Sequence, residues 1–555
     1  MKARFLTASL LLPFLASPAA PPRTAPVPVS GGAGGPGGNF DWKIGTDLPG
    51  SPHVVILDTT FSVIVNESQT AMESVINGRV DVRNMTITAN GVLDIQGPNG
   101  CVVYATGEIH IDGVILAKGA SNLSVATLDT TYLSEFGAPG GPGGGRGGTG
   151  NPRTNMSSEA GGPGYGAFDS VGRGGQGGES AYNPAFPQDL DDAHRRPAGG
   201  GGGAFGHDFL RPWGIVPGYT NHNACPDQGA NGFDAEQGFS GYGGPAGNGV
   251  HGAIGVVSGS SPPRGGMPGP RPFMDDDPSN DFWGTMETSS GALIRGELQR
   301  PWAGAGGGGG GNAIVSSSFP TTPFDPAGDE KGAGGGGGGG SLVLLARGDI
   351  VFGPAGRIDA SGGTGGGGEN SQSGDITHIG GGSGGGSGGH VVLQSSSRID
   401  FSRCRTNSHP PGGIYALGGE GGAGKNNLGG AFPGGIPTFP RADALPPNSY
   451  PHDTAPCGVV AGRAGYVFNN EVGETSHDFP LVVICAGGDG GPGIIQLHVP
   501  RLEGIVPPAT PGENIYKMIQ PPPVQALPPS GPPSYDRINR PLSWNRMLPL
   551  SGVGP

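Results

Sequence analysis

SLVLLARGDIVFGPAGRIDASGG, from Ser341 to Gly363, is a short alternating-apolar strand, a turn, a second strand and a glycine-bounded third. The same order recurs on both sides of it. Val102 through Ile111, Val343 through Phe352 and Val392 through Phe401 align without a gap. Downstream, Gly356 through Gly363 matches Gly412 through Gly419, with Gly113 through Gly119 as a looser relative. A chain that writes one supersecondary unit several times stacks it, because a single unit cannot bury its own apolar face. The expected fold is all-β, a parallel β-helix or β-solenoid of short strands.

Residues 79–119 carry the cleanest alternation. Val80 with Val82, Met85 with Ile87, Leu93 with Ile95, Ile109 with Ile111, and Ile115 with Ala117 are expected to point inward as pairs. Asn90-Gly91 and Asp112-Gly113 mark corners. No stretch outside the N-terminus shows apolar residues at three- and four-residue steps over the ten or so positions a helix needs.

The 117 glycines and 57 prolines make up about 31% of the 555 residues, so much of the chain is not ordinary core. Glycine-rich arms cover roughly 137–181, 198–206, 241–270, 304–311, 332–340, 361–389 and 418–435. They recur directly before strands and directly after the alanine-bearing strand, which places them on one side of the stack. Two readings stand side by side. As flexible linkers, the arms would keep the large backbone entropy of glycine. As extended threefold helices of the polyglycine II type, they would pack through backbone hydrogen bonds at distances only glycine allows.

The expected organisation is a signal peptide over 1–19, a Gly/Pro-rich linker over 20–50, N-terminal strand repeats over 51–135, and arms with an irregular insert over 136–340. C-terminal repeats with arms follow over 341–505, then a Pro-rich tail over 506–555. Within the insert, 182–300 is richer in aromatics, including Phe205, Trp213, Phe233, Phe282 and Trp283, and is expected to form a side domain or cover. Lys2 and Arg4, the apolar stretch Phe5 to Ala16 and the small residues Ser17-Pro18-Ala19 make an export signal, so the mature protein is expected outside the cell. No later stretch is long and apolar enough for a membrane helix, so membrane insertion is not expected. Leu548-Pro549-Leu550-Ser551-Gly552 imitates a cell-wall sorting pentapeptide without the apolar segment and basic tail that such signals need.

The net charge of −14, from 31 Lys and Arg against 45 Asp and Glu, disfavours nucleic acid as a partner. Cys101, Cys225, Cys404, Cys457 and Cys485 lack the spacing of a zinc site, and Cys101 reads as a small buried hydrophobe. No cofactor or metal is called for. The Asp275-Asp276-Asp277 run reads as a solvated turn before it reads as a calcium site. His194, His207 and His222 read as loop residues.

Gly419 to Lys425 spells a phosphate-binding loop, but Asn426 stands where Ser or Thr is required and no helix pattern follows. From Gly421 the same stretch also approaches a calcium-binding glycine nonapeptide, in a single imperfect copy. Gly381 to Gly385 satisfies GxSxG around Ser383 trivially. Arg347-Gly348-Asp349 falls on an expected corner, where a structural turn explains it. Asn66, Asn84, Asn122 and Asn155 head glycosylation sequons.

On the strength of the VVL and RIDASGG repeats, the chain resembles the glycine-rich surface proteins and adhesin passenger domains of bacteria. The arms, by composition, resemble the polyglycine bundles of certain phage tail adhesins and glycine-rich antifreeze proteins. These resemblances imply binding rather than turnover and bring no catalytic residue with them. The first function expected is therefore a secreted structural or adhesive protein whose partners are extracellular glycans, matrix or copies of itself. The alternative is a polysaccharide lyase or hydrolase with a groove of charges drawn from Asp349, Arg357, Asp359, Arg398 and Asp400. If Ile358 and Ala360 point inward, Arg357, Asp359 and Ser361 are expected on the solvated outer face. Open terminal strands of such a stack must be capped or paired, and uncapped ends would give end-to-end filaments.

Overall fold

The computed structural model describes residues 40–46, 52–122, 136–150, 161–171, 174–178, 199–203, 205, 283, 285–287, 293–295, 298, 300–314, 329–368, 381–408, 411–422, 487, 488, 490, 491, 493–499, 504–511, 518–520 and 540–541. The expected signal peptide and most of the adjoining linker lie outside them, as does most of 182–300. The described elements are strands, apart from one short 3-10 turn at Ala167–Asp169.

Three sheets carry the architecture. Sheet 1 contains Asp41–Ile44, Asn84–Ile87, Ile109–Ile111, Ile350–Phe352, Ile399–Asp400 and Ile505–Val506. Sheet 2 contains His53–Asp58, Gly91–Gln96, Val114–Leu116, Arg357–Asp359, Gly413–Tyr415 and Ile519–Gln520. Sheet 3 runs from Phe61–Val65 through Met72–Ile76, Arg79–Val82, Cys101–Ala105, Ser341–Ala346 and His390–Ser395 to Ile494–His498. Sheets 1 and 2 are parallel throughout, and sheet 3 is parallel from Arg79–Val82 onward. From Arg79 the chain visits sheets 3, 1 and 2 in that order and then repeats, each cycle adding one tier. Two small antiparallel sheets lie outside this scheme.

Like side chains stack from tier to tier. In sheet 3, Val80, Val103, Leu344, Leu393 and Leu497 stand in register. In sheet 1 the column is Met85, Ile109, Ile350, Ile399 and Ile505, and in sheet 2 it is Leu93, Ile115, Ile358, Ile414 and Ile519. All three columns belong to one buried cluster. The five inward pairs expected from alternation lie in it, and the observed pairings Val102 to Val343, Val343 to Val392, Ile109 to Ile350 and Ile358 to Ile414 are those of the sequence alignment. Phe352 and Phe401 extend the packing with rings stacked at 4.6 Å. Cys101 is a buried free thiol whose pKa burial pushes up to about 12, and Cys404 is a second buried thiol, donating to the Gly356 carbonyl at 3.9 Å.

In sheet 3 the strands Ser341–Ala346, His390–Ser395 and Ile494–His498 are buried on both faces, which is why they read as near-continuous apolar runs. Their outer face is covered by Phe205, Trp283 and Leu298 of the aromatic insert together with Trp302. Phe205, Trp283 and Leu298 of the insert therefore act as a cover over this face.

Leu344 sits between Val103 and Leu393 with no exposure. Leu344→Ala is expected to cost about 2–5 kcal/mol through lost transfer energy and a residual cavity. Denaturant unfolding followed by circular dichroism measures it, and an exposed change of equal size such as Ile56→Ala should cost far less.

Candidate functional site: the glycine bundle and the covered sheet face

The described parts of the glycine arms are hydrogen-bonded to one another. The corner between sheets 2 and 3, which Gly97 to Gly100 cross directly in an earlier tier, is where the chain departs into them. Arms leave at Ala117, Ala360 and Ala416, and return at Gly340, Gly389 and Gly493.

Three segments, 304–311, 332–340 and 381–389, form the centre. The amides of Gly304, Gly307 and Gly310 donate to the carbonyls of Gly339, Gly336 and Ala333. Those of Ala333, Gly336 and Gly339 donate to Gly381, Gly384 and Ser387, and those of Gly381, Gly384 and Ser387 donate back to Gly311, Gly308 and Ala305. Bonds to a given neighbour thus recur every third residue, the signature of the extended threefold helix. The remaining residues of each segment face other neighbours. Segment 304–311, besides its two central partners, bonds to 145–148, 162–165, 175–178 and Gly201, which makes six neighbours. Segments 332–340 and 381–389 are also bonded on six sides.

Size, rather than backbone freedom, demands glycine here. A Cβ on Gly308 would lie closer than 3.0 Å to the carbonyl of Gln176, one on Gly336 to that of Gly363, and one on Gly384 to that of Gly201. The few larger residues are used. Ser383 donates its hydroxyl to the Gly334 carbonyl at 2.5 Å and accepts from the Gly366 amide at 2.7 Å, and Ser387 accepts from the Ala305 amide at 2.8 Å. Side chains return at the rim, where Arg146 lies over the Tyr165 ring at 4.0 Å and Arg300 lies over Phe168 at 4.1 Å and Trp302 at 5.2 Å.

These contacts decide several motifs. The Ser383 hydroxyl is buried between backbone partners and sits on no strand-to-helix elbow, so it is not placed as a nucleophile. The amides of Gly419 and Gly422, within the loop-like Gly419 to Lys425, bond to Gly386 and Ser383 and so are not turned toward a phosphate. In Arg347-Gly348-Asp349, Asp349 is paired with Arg398 of the next tier at 2.6 Å and the Gly348 amide donates to Gly107, which makes the tripeptide a structural corner. Asn84 and Asn66 hold turns through their side chains, with Asn84 accepting from the Glu108 amide and Asn66 from those of Thr70 and Ala71. The Asp275 run, the three histidines, Asn155, Cys225, Cys457 and Cys485 lie outside the described residues. Among the described residues no group of three or more His, Cys, Asp or Glu side chains is placed to hold a metal.

One expectation is corrected. Arg357, Asp359 and Ser361 do point away from the inner core, yet they are buried rather than solvated, Arg357 at 2% and Asp359 at 1% exposure. They turn to one another and to the next tier, where Tyr415 stands beside Asp359 in register and the Leu417 amide donates to the Ser361 hydroxyl. Arg357 pairs with Asp359 at 2.7 Å and lies over the Tyr415 ring at 4.4 Å. Burial alone would raise the Asp359 carboxyl, but the charges of Arg357 and Lys118 and hydrogen bonds from Arg357 and Ser361 hold it below the ordinary carboxylate range.

A second polar group, hidden from sequence reading, lies between sheet 3 and its cover. The Trp302 amide donates to His390 Nδ1 at 3.0 Å, so His390 Nε2 carries the proton and donates to Gln496 Oε1 at 2.5 Å. Gln496 Nε2 donates to the Trp283 carbonyl at 3.3 Å and points at His498 Nε2 at 3.5 Å. The only sequence signal was the intrusion of His390, Gln496 and His498 into otherwise apolar strands buried on both faces.

Burial and the neighbouring His390 push the His498 pKa down to about 3. The unfolded chain therefore binds a proton there that the folded chain refuses, and stability should fall as pH drops from about 6.5 toward 3. His498→Gln should flatten the part of that slope above about pH 5, where carboxylates do not yet titrate, in unfolding midpoints measured across pH. In the bundle, Gly336→Ala should abolish slow amide exchange across 304–311, 332–340 and 381–389 while leaving the strand amides of Asn84–Ile87 protected, as read by hydrogen exchange.

No protein-family model matches this chain, and no curated protein or solved structure is detectably similar to it.

Proposed function

We propose that this chain is a secreted structural or adhesive scaffold, a parallel β-solenoid whose tiers carry a glycine bundle along one corner, and that it binds without turnover. The observation that supports this most is the six-sided bonding of 304–311, 332–340 and 381–389. Amides and carbonyls used to join segments are withdrawn from chemistry, and what such a block offers is rigidity and a broad rim. The rim pairs guanidinium groups with aromatic faces at Arg146 and Tyr165, and at Arg300 with Phe168 and Trp302, an arrangement suited to polar, ring-shaped ligands such as extracellular glycans.

The charges that an enzyme reading would recruit are otherwise engaged. Arg357 and Asp359 are buried against each other, and Arg398 spans Asp349 and Asp400 from tier to tier at 2.6 and 3.9 Å. Among the described residues no helix is long and apolar enough to cross a membrane.

Electron microscopy of the purified protein combined with a glycan panel tests the reading. Rods that retain glycans and leave their chain length unchanged are expected. A compact particle, or the appearance of new sugar ends, would overturn it.

A further inference from the structure

This inference goes beyond the scaffold reading and stands without it. Sheet 3 ends in a hairpin, Phe61–Val65 paired with Met72–Ile76, and Phe61–Val65 is its last strand. The Asn66 amide donates to Ala71 at 3.0 Å and the Asn77 amide to Thr60 at 3.3 Å, so the even-numbered residues of this strand exchange bonds with the hairpin partner. The N–H and C=O groups of Phe61, Val63 and Val65 accordingly face the open edge. Among the described residues nothing takes them.

The side chains of the same three residues form an exposed apolar row, with exposures of 58%, 48% and 41%. Met72 at 70% and Ile76 at 56% widen it, standing opposite Val65 and Phe61. A row of this kind on a bare edge is a template for pairing, and proteins that avoid pairing place charge or proline there. The sequence Phe61-Ser62-Val63-Ile64-Val65 contains neither. The end strand of sheet 1 is different: Asp41 is clamped by Arg83, and Lys43 pairs with Glu67 at 3.1 Å.

We propose that a second copy of this chain pairs with Phe61–Val65, antiparallel, about a two-fold axis through Val63. Three observations select a copy rather than another partner. The strand reads apolar at its first, third and fifth positions in either direction, so the dyad sets Val63 against Val63 and Phe61 against Val65. The residues whose bonding groups face the edge are the ones whose side chains form the apolar row, so one contact satisfies both. The outer face of the same sheet is already covered farther along by Phe205, Trp283 and Leu298, so burial is the rule for this face. The dimer is isologous and joins two stacks by their N-terminal ends, which closes the assembly instead of propagating a filament.

Sedimentation velocity of the full chain at micromolar concentration should show a dimer, and Val63→Lys should give a monomer with unchanged circular dichroism. Val63→Cys should form a disulfide-linked dimer under mild oxidation, because paired Cα atoms across the dyad lie about 5.5 Å apart. Ser74→Cys, on the same face but three strand spacings or about 14 Å from its copy, should not cross-link. A monomeric wild type, open-ended polymers, a folded Val63→Lys that stays dimeric, or Ser74→Cys linking as readily as Val63→Cys would each overturn the proposal. If Val63→Lys fails to fold, the two cysteine variants decide it.

Discussion

The stacking of one tier's inward side chains on the next, Leu344 between Val103 and Leu393, sets the geometry that the rest of the protein inherits. Parallel strands in register hold successive tiers one strand spacing apart, and the corner between sheets 2 and 3 therefore repeats at that interval. Arms leaving the corner at Ala117, Ala360 and Ala416 start out side by side, and the Gly119 amide meets the Ser361 carbonyl as the Gly362 amide meets that of Leu417. Arms returning to sheet 3 are matched in the same way, Gly336 to Gly384 and Gly385 to Gly488. The register of the bundle is the register of the core, carried outward along the chain.

That dependence explains how polyglycine is ordered at all. Fixing a residue's backbone costs about 1–2 kcal/mol, and glycine, with no side chain to bury, recovers about 0.5–1.5 kcal/mol from a typical hydrogen bond. The two magnitudes nearly cancel. The bundle is tipped toward order because both ends of its arms are tied to strands, which shortens the search, and because an amide left unpaired inside it would meet no water. The loss of any one of the three central segments would orphan bonding groups on six sides, so these segments are expected to order together.

Burial also changes the meaning of outward-facing charges. Arg357 and Asp359 alternate outward from sheet 2, and on a bare sheet they would be a wet charged pair. Here they are a dry ion pair beside Tyr415 of the next tier, in which each charge depends on the other for solvation. His390, Gln496 and His498 are placed similarly by the aromatic cover, whose Trp302 amide sets the proton position on His390 and, through Gln496, fixes the chain of donors. In both places burial removes groups from solvent that a reading of strand alternation leaves exposed.

The strands, their inward faces and their register were legible in the sequence, because a side-chain period of two and a gapless repeat specify them locally: Val343 over Val102 and Ile358 beside Ile414 needed no coordinates. The corner that carries the arms was legible as well, from glycine runs abutting strands. Which arm touches which was not, since glycine segments are chemically alike and their partners, such as Gly336 and Gly384 or Gly145 and Gly304, are joined only through the path of the intervening chain. The fate of Arg357, Asp359, His390 and Gln496 was hidden for the same reason. Alternation tells which side of a strand a residue takes, but only the tertiary structure decides whether that side meets water or another layer of the same chain.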